Sequence, residues 1–264
     1  MDDRVLIVTC EHGGHEVPPA FAPLFSGHRS LLDSHRGWDP GALELARDLA
    51  QAFGAPCFAS TTTRLLVDLN RSVGHRDLFS EITRPLEIAA RQEILALHYR
   101  PHRDAVEREV GQHIAAGRSV LHLASHSFTP VLDAVVRRAD VAWLYDPRRL
   151  AESALAGGWL AATARRAPGL RLRRNYPYKG RSDGLTALLR KRFPDAAYAG
   201  IELEVNQSFV TQGGAAWAGL RSDLIDALAD ARAVAGKQAP ARTVTTPAAA
   251  VRGRPCVCRR STTA

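Results

Sequence analysis

The chain has 264 residues, of which 45% are hydrophobic and 23% charged, enough apolar material for one large α/β domain or two small ones. No apolar run is long enough to cross a bilayer, and Met1-Asp2-Asp3 puts no basic segment ahead of an apolar one, so a cytoplasmic location and no membrane partner are expected. The net charge of +8 does not indicate a nucleic-acid surface, because six basic residues and no acidic one lie between Gly236 and Ala264; taking six from 35 leaves 29 against 27 acidic, a nearly neutral body.

The first element in chain order is the run Val5-Leu6-Ile7-Val8-Thr9-Cys10, whose continuous apolar character predicts a buried parallel strand. It breaks into Glu11-His12-Gly13-Gly14-His15-Glu16, a polar turn at a strand's carboxyl end, where open α/β sheets place their ligands. Asp39-Pro40-Gly41 reads as the entrance of a helix running to about Phe53, with Asp39 as its N-cap. A short strand is expected from Cys57 to Thr62, with Cys10 and Cys57 as small core residues. Another strand is expected over Arg64–Arg71, its polar residues bracketing an apolar centre.

Helical periodicity covers Pro85 to Ala116, with an interruption expected near Pro101. Val120–Ser127 reads as a strand ending in His126, Asp140–Tyr145 as another, and Leu150–Arg166 as a helix. A short strand near Leu170–Asn175 and a helix over Gly184–Phe193 precede the alternating strand Gly200–Asn206. A last helix spans Trp217–Ala233. Strands alternating with helices predict an α/β fold with a mostly parallel mixed sheet and helices on both faces. Residues 1–234 are expected to form one domain. Residues 235–264, rich in Ala, Thr, Pro and Arg, are expected to be disordered, and Cys256 and Cys258 to be incidental thiols of that tail.

Three strand ends offer side chains of the kind a mononuclear zinc hydrolase needs. His12 and His15, three apart across the glycine turn, and His126 are the candidate metal ligands, with Glu16 competing for the second position. Among proposed ligands imidazoles outnumber carboxylates, which favours zinc over harder cations. Glu202 and Glu204 share one face of their strand, and Glu204 is the candidate general base. Arg64, Asp68, Asn70 and Arg71 form a polar group able to grip an acidic substrate, with an internal salt bridge of Arg64 or Arg71 with Asp68 as the competing reading. Arg173, Arg174 and Lys179 add a second basic group on a loop. His98 and His102 read as residues of helix packing, and His122 has no assigned role.

These residues together resemble the N-formylglutamate amidohydrolase family. The resemblance is carried by Cys10-Glu11-His12-Gly13-Gly14, His35-Arg36-Gly37-Trp38-Asp39-Pro40-Gly41-Ala42 and Thr63-Arg64-Leu65-Leu66-Val67-Asp68-Leu69-Asn70-Arg71-Ser72. It continues through Ser125-His126-Ser127-Phe128-Thr129-Pro130, Arg174-Asn175-Tyr176-Pro177-Tyr178 and Ile201-Glu202-Leu203-Glu204-Val205-Asn206-Gln207. It implies a fold similar to the zinc carboxypeptidases (phosphorylase/hydrolase-like) and zinc-dependent hydrolysis of the acyl amide of an N-acyl amino acid, with N-formyl-L-glutamate as first candidate. It implies His12 and His126 as ligands, Glu204 as base, and Arg64, Asp68, Asn70, Arg71 and Arg174 as pocket residues. The sequence departs from the family's pattern at His15, where asparagine is usual, and at His102, where an aromatic residue is usual. An aminoacylase or small carboxypeptidase-like peptidase on the same site, and a non-catalytic ligand-binding protein, are the competing readings.

Overall fold

A computed structural model describes residues 2–238. Six strands form one sheet: β1 (Val5–Cys10), β2 (Cys57–Ala59), β3 (Val120–Phe128), β6 (Val141–Leu144), β7 (Leu172–Arg174) and β8 (Tyr198–Asn206). A separate hairpin pairs β4 (Val131–Leu132) with β5 (Val135–Val136). The strand order is β2-β1-β3-β8-β6-β7. Every neighbouring pair is parallel except β8 with β6, so the sheet is mostly parallel and mixed.

The helices are α1 (Arg29–Leu32), α2 (Ala42–Phe53), α3 (Ile88–Ile94), α4 (Arg100–Ala115), α5 (Leu150–Arg166), α6 (Leu185–Arg192), α7 (Gln207–Gln212) and α8 (Gly214–Gln238). Helices α2, α5 and α8 cover one face, where Leu45, Leu49, Trp143, Trp159, Leu203 and Leu224 share the largest core. Trp143 and Trp159 meet edge to face at 5.8 Å, the favoured geometry for two aromatic quadrupoles. Helices α4 and α6 cover the other face through Ile7, Val106, Val110, Leu185 and Leu189. None of the described helices is long and apolar enough to cross a membrane.

Two features differ from the sequence expectations, and a third shows how an expected break is made. Residues 64–71 form turns rather than a strand. Leu65, Leu66, Val67 and Leu69 are buried against Phe21, Phe25, Ile94 and Tyr99 in a satellite core, so their burial is met without a ladder. Cys57 is exposed, because β2 is the sheet's edge strand. The expected break before Pro101 is a π turn over Leu95–Tyr99, with α4 starting directly after it. Proline has no N–H for the carbonyl four residues back, and a widened turn makes room for its ring. Of the expected tail, residues 235–238 continue the helix α8, and the remainder, with Cys256 and Cys258, lies outside the described residues.

The face beneath α4 and α6 carries polar residues in register. Ile7 pairs with His122 and His122 with Gly200; Ala124 pairs with Glu202, and His126 with Glu204. Fully buried His122 bonds Thr9 Oγ1 through Nε2 at 2.8 Å and Tyr198 Oη through Nδ1 at 2.7 Å. Both partners are satisfied by a neutral ring, and burial pushes its pKa from 6.5 down to about 4. The unfolded chain therefore takes up a proton near pH 6.5 that the folded chain resists to about 4. The associated stability is complete above that window and falls by about 3 kcal/mol across it. Urea unfolding of the parent and of His122→Asn across pH 6.5 to 4 should show the flatter profile in the variant. Equal slopes would mean that another group drives the acid loss.

Candidate metal centre and pocket

The site lies at the carboxyl-terminal ends of β1, β3 and β8. The turn after β1 is fastened to the segment after β2: Gly13 N–H donates to the Ser60 carbonyl and Glu16 N–H to the Thr61 carbonyl, each at 2.9 Å. A Cβ on Gly14 would sit 2.6 Å from the Thr61 carbonyl oxygen, so only glycine allows this approach. Asp39 N–H in turn donates to the His12 carbonyl at 2.9 Å, which lays its carboxylate against the His12 ring. Gly41, with φ of 79°, turns the chain immediately into α2 and takes the N-cap position expected for Asp39.

His12, Asp39 and His126 form a buried group whose potential ligand atoms all lie within 4.8 Å of one another. Asp39 Oδ2 stands 3.4 Å from His12 Nδ1 and 3.0 Å from His126 Nδ1. The opposite nitrogens face carboxylates: His12 Nε2 meets Asp68 Oδ1 at 2.7 Å, and His126 Nε2 faces Glu11 Oε2 at 3.2 Å. Arg64 pairs with Asp68 Oδ2 at 2.6 Å and reaches Asp39 Oδ1 at 3.5 Å. Burial alone would raise the Asp39 carboxyl, yet His12, His126 and Arg64 hold it below the usual carboxylate range. Burial likewise opposes charge on His126, and Asp39 with Glu11 outweighs it, raising that imidazole well above its usual value.

The donor set suits a divalent cation. Glu11, Asp39 and Asp68 against Arg64 leave two negative charges around two imidazoles, and one carboxylate plus two ring nitrogens is a familiar three-ligand arrangement with room for a fourth partner. Carboxylates placed behind imidazoles in this way fix ring orientation at metal centres in general.

Glu204 sits beside this group as the cross-strand partner of His126. It is buried, and its Oε2 has no hydrogen-bond partner. Desolvation raises its pKa to about 8; the Asp39 and Glu202 charges add to this, and His126 and Arg64 oppose it. Glu202 on the same face is engaged by the Thr186 hydroxyl at 2.5 Å.

A single pocket joins His12, Asp39, His126 and Glu204 with Arg64, Asn70 and Arg71. Asp68 is behind its wall, engaged by His12 and Arg64 rather than facing the cavity. Asn70 lines it while its Oδ1 accepts the Leu185 N–H at 2.8 Å, at the start of α6. Arg71 donates to the Asp183 carbonyl at 2.8 Å. Among the described residues Arg71 and Lys179, which also lines the cavity, form no ion pair. The pocket's further lining includes His35, Ser127, Tyr178, Asp183 and Glu202. Tyr178 lies under the Arg137 guanidinium, 5.2 Å from its ring centre.

Three of the candidate residues lie elsewhere. His15 is one-third exposed, faces Asp33 at 3.5 Å and packs on Trp38. The bridge between Glu16 and Thr62 carries the chain outward directly after the glycines, so His15 lies away from the buried group, whose third member is Asp39. Glu16, the other candidate, accepts from the Thr61 hydroxyl. Arg174 is exposed on the edge strand β7, paired in register with Trp143, whose side chain belongs to the α5 and α8 core on the opposite face. Asp39 escapes sequence reading because it is 27 residues from His12 and sits before Pro40-Gly41, where a carboxylate reads as a cap.

A family model described as N-formylglutamate amidohydrolase matches residues 4–211. The solved structure of a gene product from Agrobacterium tumefaciens is 27% identical, with coverage of 89% of this chain and 93% of that one and a TM-score of 0.76. An N-formylglutamate amidohydrolase from Ralstonia eutropha JMP134 is 20% identical, with coverage of 90% and 96% and a TM-score of 0.65, a likeness of fold. The comparison with curated proteins gives no match.

Proposed function

Because the chain belongs to the N-formylglutamate amidohydrolase family, we propose that it is a zinc-dependent amidohydrolase that cleaves the acyl amide of an N-acyl amino acid, N-formyl-L-glutamate being the first candidate. The observation that carries this reading is the buried His12–Asp39–His126 group with Glu204 beside it in one pocket. Two nitrogens and one carboxylate oxygen favour zinc among common divalent ions. Zinc held there would supply Lewis acidity toward a carbonyl oxygen and make water more acidic.

The chain's own residues do the rest. Glu204 takes a proton from the attacking water and returns it to the departing amide nitrogen, so that formate and glutamate leave as products. Its unbonded Oε2 leaves it free for both halves of that transfer, and its pKa, raised to about 8 by burial, favours the return of the proton to nitrogen. Asp68 and Glu11 hold the two rings from behind. Arg64 is already committed to Asp68 and Asp39, so Arg71 and Lys179 are the cations left to receive substrate carboxylates. The substrate is a small molecule in solution, and a cytoplasmic location is part of the same proposal.

Metal content and turnover on the same preparation test the reading. About one zinc per chain and formate release from N-formyl-L-glutamate are expected, with both lost to a chelator and both regained on adding zinc. Zinc without formate release would move the substrate to another N-acyl amino acid or a dipeptide, which a panel would identify. Absence of zinc, with no activity on adding it, would overturn the enzyme reading in favour of a ligand-binding protein.

Arg71→Met should raise KM for the dicarboxylate substrate by about 10- to 100-fold with a smaller effect on kcat, the size expected for one charge-assisted contact. Arg174→Met, outside the pocket, should leave KM near the parent's. Equal effects of the two would remove the assignment of Arg71.

A further inference from the structure

Glu11 is fully enclosed, and neither of its carboxylate oxygens has a hydrogen-bond partner. A buried anion persists only with compensating charge nearby. Two imidazoles face it from opposite sides. His126 Nε2 is 3.2 Å from Oε2, and His102 Nε2, projecting from the first turn of α4, is 3.7 Å from Oε1. The His102 ring is nearly buried, and its Nε2, like that of His126, faces Glu11 without a formed hydrogen bond. Asp39, His126, Glu11 and His102 therefore form one buried series, carboxylate and imidazole in alternation.

The other arm of the centre has the same plan. His12 has Asp68 behind it at 2.7 Å, and Asp68 has Arg64 behind it at 2.6 Å. Behind His126 stands Glu11, and among the described residues no arginine or lysine pairs with Glu11. His102 occupies the place toward Glu11 that Arg64 occupies toward Asp68.

We propose that Glu11 and His102 are positioning residues for the metal centre: His102 holds Glu11 in place behind the His126 ring, and Glu11 sets the orientation of that ring so that its Nδ1 faces the cation beside Asp39. The proposal rests on the metal reading given above. Removing an outer partner of this kind typically lowers metal affinity by about 10- to 100-fold. Glu11→Gln should fall in that range. His102→Phe, which keeps a flat ring but has no nitrogen, should weaken zinc by about 10-fold, and His102→Gln, whose amide still presents a donor to Glu11, should stay within about 3-fold of the parent.

The experiment is zinc affinity by competition with a chromophoric chelator, read beside the visible spectrum of the cobalt-loaded forms and the melting temperature of the metal-free ones. Weaker zinc binding and an altered cobalt spectrum in His102→Phe, both recovered in His102→Gln, support the proposal. Parent-like zinc affinity in His102→Phe overturns it, as does an equal loss in both variants with equally lowered melting temperatures, which would make His102 a packing residue. If His102→Phe does not fold, the nitrogen resonances of His126 in the zinc-loaded parent decide the matter, Nε2 protonation supporting it and Nδ1 protonation overturning it. A parent that takes up no zinc overturns both this proposal and the amidohydrolase reading, whereas a zinc-loaded parent beside an indifferent His102→Phe overturns this one alone.

Discussion

Glu204→Gln is expected to retain about one zinc per chain and to lose between about 100- and 10,000-fold in kcat, the range for removal of a positioned general acid–base group. Glutamine has nearly the same shape and keeps an acceptor oxygen, so packing between β3 and β6 should survive. It cannot take the water's proton. His126→Ala, one position across the sheet, should behave differently: it removes a ligand atom and leaves Asp39 and Glu11 facing each other across the vacated volume, so metal and turnover disappear together. Metal content and kcat on both variants separate the two roles. If Glu204→Gln keeps a kcat within a few-fold of the parent, Glu204 is not the proton carrier, and its raised pKa reflects burial beside Asp39 and Glu202 without a catalytic use.

The contrast between these two positions also shows what a sequence can reveal. The strands ending in His12, His126 and Glu204 are legible because each is a buried run or a strict alternation, and alternation fixes which side chains share a face. The strand of Glu202 and Glu204 proves central, between β3 and β6, so its carboxylates face a pocket and not open solvent. Asp39 was not legible as part of the centre, since its place depends on one hydrogen bond to the His12 carbonyl and on the long excursion of the chain between the two residues. His15 illustrates the opposite limit. Its spacing from His12 suits a shared ion, but the hydrogen bonds of Gly13 and Glu16 to the neighbouring loop decide where the turn points, and spacing alone carries no information about them. The apolar centre of residues 64–71 signals burial without specifying a partner, and here the partner is a small core of aromatic rings rather than a strand.

Glu152→Ala should destabilise the fold by about 3–5 kcal/mol, the penalty for stripping a buried ionic group of one partner. The side chain has no exposed surface. Its Oε1 accepts from Arg190 Nε at 2.9 Å and from the Gly200 N–H at 3.0 Å, and lies 3.2 Å from Arg149 Nε. Its Oε2 accepts from the Asp146 N–H at 2.9 Å. Alanine would leave two guanidinium groups and two backbone donors without this acceptor in a space closed to water. The two arginines also hold backbone carbonyls: Arg190 those of Gly180 and Gly200, Arg149 that of Tyr198. One carboxylate therefore joins α5, α6, the end of the β6 segment and the start of β8, the strand that presents Glu202 and Glu204. Set against a total stability of about 5–15 kcal/mol, the loss is large enough to lower the melting temperature by about 10 °C or more. Glu152→Gln keeps an acceptor for the backbone donors while removing the charge, so it should fall between alanine and the parent. Urea unfolding of the three proteins checks the order, and a Glu152→Ala midpoint equal to the parent's would mean that water or rearranged arginines replace the carboxylate. Because Gly180 adjoins Lys179 and Ser182 in the pocket lining, the alanine variant should also lose activity at temperatures below its unfolding transition.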